Sequence, residues 1–96
     1  MTGFLLSPAA ERDVTDIWHY TVEHWGPAQA ASYVSDIRDA CRELVDGSRI
    51  SRTVEIREGY RKIQVGSHVL YFRTSQSGTI IIVRILHQTM DVGLHT

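Results

Sequence analysis

The chain has 96 residues, 43% of them hydrophobic and 22% charged, with a formal net charge of −1. That length allows one domain that buries roughly two thirds of its unfolded surface without staples. The near-neutral charge argues against a nucleic-acid binder held by general attraction to phosphates, the single cysteine cannot form an internal disulfide, and no run is long and apolar enough to span a membrane.

With no export leader at the start of the sequence, the expected location is the reducing cytoplasm. Charge is unevenly placed. Residues 1–48 carry eight acids against three bases, and residues 49–96 carry three acids against seven bases. This asymmetry points to charged partners. Nine of the ten bases are Arg and only Lys62 is Lys, a bias that fits bidentate recognition of carboxylates or phosphates and equally fits a GC-rich genome.

Phe4-Leu5-Leu6 reads as a short edge strand. Ser7-Pro8 then supplies an N-cap and a first helical residue. Ala10, Val14, Ile17, Trp18, Thr21 and Val22 form a helical stripe that ends at Gly26. Pro27 opens a second helix running to Asp46, with Ala30, Tyr33, Val34, Ile37, Cys41, Leu44 and Val45 on its buried side and Gly47 as the stop. So short a connection makes the pair an antiparallel hairpin, with Ala28, Ala30 and Ala31 allowing close approach. Residues 48–58 are polar and irregular; Ile50 and Val54-Glu55-Ile56 are candidates for brief pairing with the sheet.

From Gly59 the period becomes two. Strands are predicted at 60–65, 68–74 and 79–86, joined by turns at Gly66-Ser67 and at 75–78. The expected architecture is a single α+β domain over 1–96, with an N-terminal helical hairpin packed on an antiparallel β-sheet that the short N-terminal strand joins.

Few residues offer chemistry. His19 and His24 are five apart, about 140° around a helix, so they do not share a metal-binding face. Cys41 falls on the apolar stripe, which makes it a core residue rather than a nucleophile. No phosphate-binding glycine loop, nucleophile elbow or acid–base carboxylate pair is present. No metal or cofactor is expected. Tyr71-Phe72-Arg73 lies mid-strand; Tyr71 and Arg73 would share one face with Arg84 if Leu70 and Phe72 face the helices. Such a patch suits a nucleic acid, an acidic and apolar peptide, or plain surface ion pairs.

The last strand is apolar on both faces. Strict alternation points Ile81, Val83 and Ile85 to the helices. It leaves Ile80, Ile82, Arg84 and Leu86 on an open face, where each bare aliphatic side chain forgoes roughly 1.5–3 kcal/mol. A soluble monomer seldom exposes such a patch. The expected cover is the tail 90–96 together with an amphipathic segment of a partner.

Several blocks resemble ParE-type toxins of the RelE/ParE superfamily. They are Ser7-Pro8-Ala9-Ala10-Glu11-Arg12-Asp13, Ile17-Trp18 with Tyr20, Trp25-Gly26, Gly59-Tyr60-Arg61-Lys62, Val65-Gly66-Ser67-His68, Tyr71-Phe72-Arg73, and Val83-Arg84-Ile85-Leu86-His87 followed by Met90-Asp91. The resemblance implies the same helical-hairpin and sheet fold. It also implies the toxin of a type II toxin–antitoxin module that blocks DNA gyrase and forms a hetero-oligomer with a ParD-like antitoxin. Antitoxin contacts are then expected from Trp18, Val22 and Tyr33 beside the hairpin, and from Tyr71, Arg73, Ile80, Ile82, Arg84 and Leu86 on the sheet. Target contacts are expected from Arg61, Arg73, Arg84 and His87.

The ribonuclease branch of the superfamily, which cuts messenger RNA on the ribosome, is the alternative. There Arg61, Arg73 and Arg84 would hold phosphate and His87 would move a proton. The tail 90–96 lacks the Tyr, Lys or Arg expected of that branch, which favours a non-enzymatic inhibitor without direct nucleic-acid contact.

Overall fold

The computed structural model describes residues 3–53 and 59–89. Elements follow one another as β1 (Phe4–Leu6), α1 (Pro8–Trp25), α2 (Pro27–Asp46), β2 (Arg52–Thr53), β3 (Arg61–Val65), β4 (His68–Thr74) and β5 (Ile80–His87). The sheet has five strands in the order β1-β5-β4-β3-β2. Strands β2 to β5 pair antiparallel, whereas β1 joins β5 in parallel. The chain between these two parallel strands runs through the helical hairpin and then β2, β3 and β4.

Local chemistry sets the helices. Ser7 Oγ accepts the Ala10 N–H at 3.0 Å, capping α1, and donates to the Val83 carbonyl at 2.7 Å. Its own N–H donates to the Ile82 carbonyl at 2.9 Å. One residue thus starts the helix and ties that start to β5. Gly26 alone separates the helices; its φ of 91° and ψ of 167° permit the reversal. Of the three alanines expected at the hairpin contact, only Ala30 is buried, while Ala28 and Ala31 are exposed.

Both helices lie on one face of the sheet. Ala10, Ile17, Ile37, Ala40, Cys41 and Leu44 pack there against Ile63, Val65, Leu70, Phe72, Ile82 and Ile85. Leu70 and Phe72 face the helices as the alternation predicts. Burial pushes the Cys41 thiol up to about 11, against a small opposing pull from Arg49, as suits a core thiol.

The last strand departs from the expectation. Phe72 pairs with Ile82, but Tyr71 pairs with Arg84, so Val83 is an extra residue in β5. This bulge reverses the facing rule partway along the strand. Ile82 is 0% exposed in the core, and Ile80 packs against the same cluster. Neither lies on an open face, which removes both from the predicted antitoxin-contact set. Ile85 remains core-facing because the bulge restores it to the helix side. Ile81, placed inward by strict alternation, instead pairs with Arg73 and faces away from the helices.

Brief pairing in this region falls at Arg52 and Thr53, opposite Lys62 and Arg61, and not at Ile50, which was expected to pair and is exposed outside the strand. The expectations placed on residues 54–56 and on the tail 90–96 lie outside the described residues.

Candidate functional site

A cleft of about 820 Å³ opens between the helical hairpin and the far end of the sheet. Its helical wall is built from Ile17, Tyr20, Thr21 and Trp25 of α1, with Gln29 and Tyr33 of α2. The α1 residues recur at helical spacing, so one face of α1 supplies the wall. Thr21 is buried and its hydroxyl donates to the Ile17 carbonyl at 2.6 Å, which leaves its methyl side for packing. Tyr20 stacks on His24 with ring centroids 3.9 Å apart. Trp25, at the end of α1, is 72% exposed at the rim.

The opposite wall comes from Ser67 and His68 at the β3–β4 turn, and from Arg84, Ile85, Leu86 and His87 of β5. Tyr33 fixes this turn. Its oxygen lies 2.6 Å from His68 Nδ1, accepts the Ser67 N–H at 3.2 Å, and is placed to donate to the Val65 carbonyl at 3.2 Å. The turn is shaped to the ring: a Cβ on Gly66, whose φ is 57°, would sit 2.6 Å from Tyr33 Cε1.

His68 and His87 are cross-strand partners whose rings meet edge to face at 5.4 Å. Burial holds the His68 imidazole below its ordinary value of 6.5, and the neighbouring His87 adds to this while Asp13 opposes it. His87 Nδ1 accepts the Thr89 N–H at 3.2 Å. At the other end of the cleft, Asp13 grips Arg84 through both oxygens, at 2.9 and 3.0 Å. That carboxylate, first through its hydrogen bonds, raises the Arg84 guanidinium above its ordinary value. The cleft is therefore an apolar and aromatic slot with its one guanidinium already paired, better suited to a polypeptide segment than to an anion.

The structure divides the residues singled out in the sequence. Tyr33, Arg84, Leu86 and His87 line the cleft. Trp18 and Val22 are half-buried on α1 and do not line it. Tyr71 and Arg73 lie on the opposite face of the sheet, since Leu70 and Phe72 point inward. Arg61 is held by Ser51, donating from Nε to Oγ at 2.6 Å and from Nη2 to the carbonyl at 2.8 Å. Sequence reasoning missed Asp13, Tyr20, Trp25 and His68 as site residues. The available signal was two large aromatic side chains at the margin of the α1 stripe, where a purely structural helix carries polar residues.

A family model described as the ParE toxin of the type II toxin–antitoxin system parDE matches residues 4–92. The chain belongs to the ParE toxin family. Among ParE relatives, the protein named Toxin ParE1 of Mycobacterium tuberculosis is 46% identical over 90 residues, covering 93% of this chain and 92% of the relative. Toxin ParE1 of Caulobacter vibrioides is 33% identical over 96 residues, covering 99% and 98%. The fold agrees with a solved structure described as a chromosomal ParDE toxin–antitoxin system from P. aeruginosa. The TM-score is 0.77 at 25% identity, over 91% of this chain and 96% of that one. The α+β architecture with its helical hairpin is thus the architecture of a ParE-type toxin.

Proposed function

We propose that this ParE-family toxin is a cytoplasmic, non-enzymatic inhibitor of DNA gyrase. It is held inactive by a ParD-like antitoxin, one segment of which occupies the cleft between α1 and β5. The family match over residues 4–92 supports the toxin role. The observation that carries the antitoxin reading is Trp25, 72% exposed at the rim of an apolar cleft. A tryptophan in that position is a typical anchor for a protein partner. The solved relative described as a ParDE system supports a hetero-oligomeric assembly.

The divergence of the basic residues supports inhibition over RNA cleavage. A nuclease of this fold would need Arg61, Arg73 and Arg84 to converge on one phosphate. Here Arg61 is bound to Ser51 and Arg84 is bound to Asp13, each turned to a partner of its own, while Arg73 is exposed on the open face of the sheet. Purified protein tested in two assays decides the matter. Loss of gyrase supercoiling with no ribosome-dependent transcript cleavage is the expected outcome. Cleavage with supercoiling intact overturns the proposal.

A further inference from the structure

The sheet face opposite the helices has an organisation that the cleft does not use. Register places Leu5 of β1 beside Ile81 of β5, and Ile81 beside Arg73 of β4. Further along, Lys62 of β3 pairs with Tyr71, and Leu86 of β5 pairs with Val69. Leu5 is 62% exposed, and Arg73 and Lys62 are exposed. Among the described residues, no helix or strand packs on this face. The β1/β5 side of the face is therefore aliphatic, while the β3/β4 side is cationic. Strands about 4.8 Å apart put these two edges within the width of one helix or strand laid across them.

Charge favours an acidic occupant. Residues 59–89 contain no Asp or Glu. Arg84 is taken by Asp13, which leaves Lys62 and Arg73, among the described side chains, as cations of the face outside any ion pair. The helical layer has the opposite character, with Glu11, Glu23, Asp36, Asp39 and Glu43 all exposed. An acidic segment is repelled there and attracted to the sheet. The two surfaces are also continuous. β1 covers only Ile80, Ile81 and Ile82 of β5. Beyond it, Arg84 and Leu86 belong both to the cleft and to the rows of the open face.

We propose that the open sheet face is a second docking surface. Its occupant is an amphipathic segment of the antitoxin with one apolar edge over Leu5, Ile81 and Leu86 and one acidic edge over Arg73 and Lys62, reached by wrapping around the free end of β5. This rests on the toxin–antitoxin reading above.

The test uses the complete toxin and the antitoxin encoded beside it. The double variant R73E/K62E should raise the Kd at least tenfold, and a photo-crosslinking residue in place of Leu5 should attach to an acid-rich stretch of the antitoxin. If the unmodified toxin fails to bind the antitoxin, the toxin–antitoxin reading falls and this proposal falls with it. If it binds and the double variant binds within twofold, the cleft alone holds the antitoxin and only the second surface is refuted. Crosslinking from position 5 to a second toxin copy or to co-purified nucleic acid also refutes it. Circular dichroism of the double variant separates lost binding from lost fold; should it fail to fold, the crosslink alone decides.

Discussion

Asp13 and Arg84, 71 residues apart in the chain, meet in a two-oxygen ion pair at the free edge of the sheet. The same carboxylate accepts the backbone N–H of Ile85 at 2.9 Å through Oδ2. Asp13 thereby caps an edge-strand donor just past the Val83 bulge and sets the position of α1 against β5. The two partners are unequally buried, with Arg84 at 47% side-chain exposure and Asp13 at 12%.

That inequality predicts an asymmetric response. Asp13→Ala removes the acceptor of a partly buried backbone donor and strands the guanidinium, a loss of roughly 1–3 kcal/mol. Arg84→Ala removes a largely solvated charge and should cost under about 1 kcal/mol. Urea denaturation of both variants measures this. Equal losses would show that the ion pair itself, and not the Ile85 hydrogen bond, dominates.

Gly66→Ala should destabilise by roughly 1–3 kcal/mol, because it combines a φ of 57° with a Cβ placed 2.6 Å from Tyr33 Cε1. Combining it with Tyr33→Ala should cost less than the two single losses added together, since the second change removes the collision. Strict additivity in a double-mutant cycle would show that the backbone conformation alone is responsible.

Acid should weaken the fold through His68. Its imidazole is held below 6.5 by burial first and by His87 second. A depressed histidine means that the unfolded chain binds the proton before the folded one does. The contribution is complete above 6.5 and is lost as pH falls below it. Tm should drop between pH 7.5 and 5.5, and His68→Gln should flatten that slope. An unchanged slope in the variant would assign the effect to other groups.

Cys41 is buried with its thiol raised to about 11, so a thiol reagent at pH 8 meets almost no thiolate. Labelling of the native protein should be slow and should become fast in denaturant. Rapid native labelling would mean that α2 opens readily.

Trp25→Ala should change the unfolding free energy by no more than about 0.5 kcal/mol, since the side chain is 72% exposed. It should nevertheless weaken antitoxin binding by about tenfold or more, as expected for an interface anchor. Calorimetry on the complex checks this, and undiminished affinity would remove the cleft from the interface.

Strong local chemistry was legible in the sequence. Ser7-Pro8, Gly26-Pro27 and Gly47 marked the helix ends, because capping and φ preferences act within a few residues. The period-two runs marked β3, β4 and β5. The N-terminal and C-terminal blocks carried the resemblance to ParE-type toxins, and the match over residues 4–92 bears it out. The facing of β5 was not legible. Residues 80–83 are Ile, Ile, Ile and Val, all aliphatic and β-branched. Nothing in such a run distinguishes a regular strand from one with an extra residue.

What the sequence determined by itself was the set of elements, their order and the class of fold, since helix caps, turn glycines and hydrophobic period are local properties of the chain. What only the tertiary structure decided was which side of the sheet each residue serves. The Val83 bulge depends on how β4 and β5 register against Ser7 and Asp13 at the start of α1. Those contacts join residues about seventy positions apart. They put Ile82 in the core, brought Tyr33 to His68, and turned an expected bare isoleucine patch into two differently composed surfaces that meet along the end of β5.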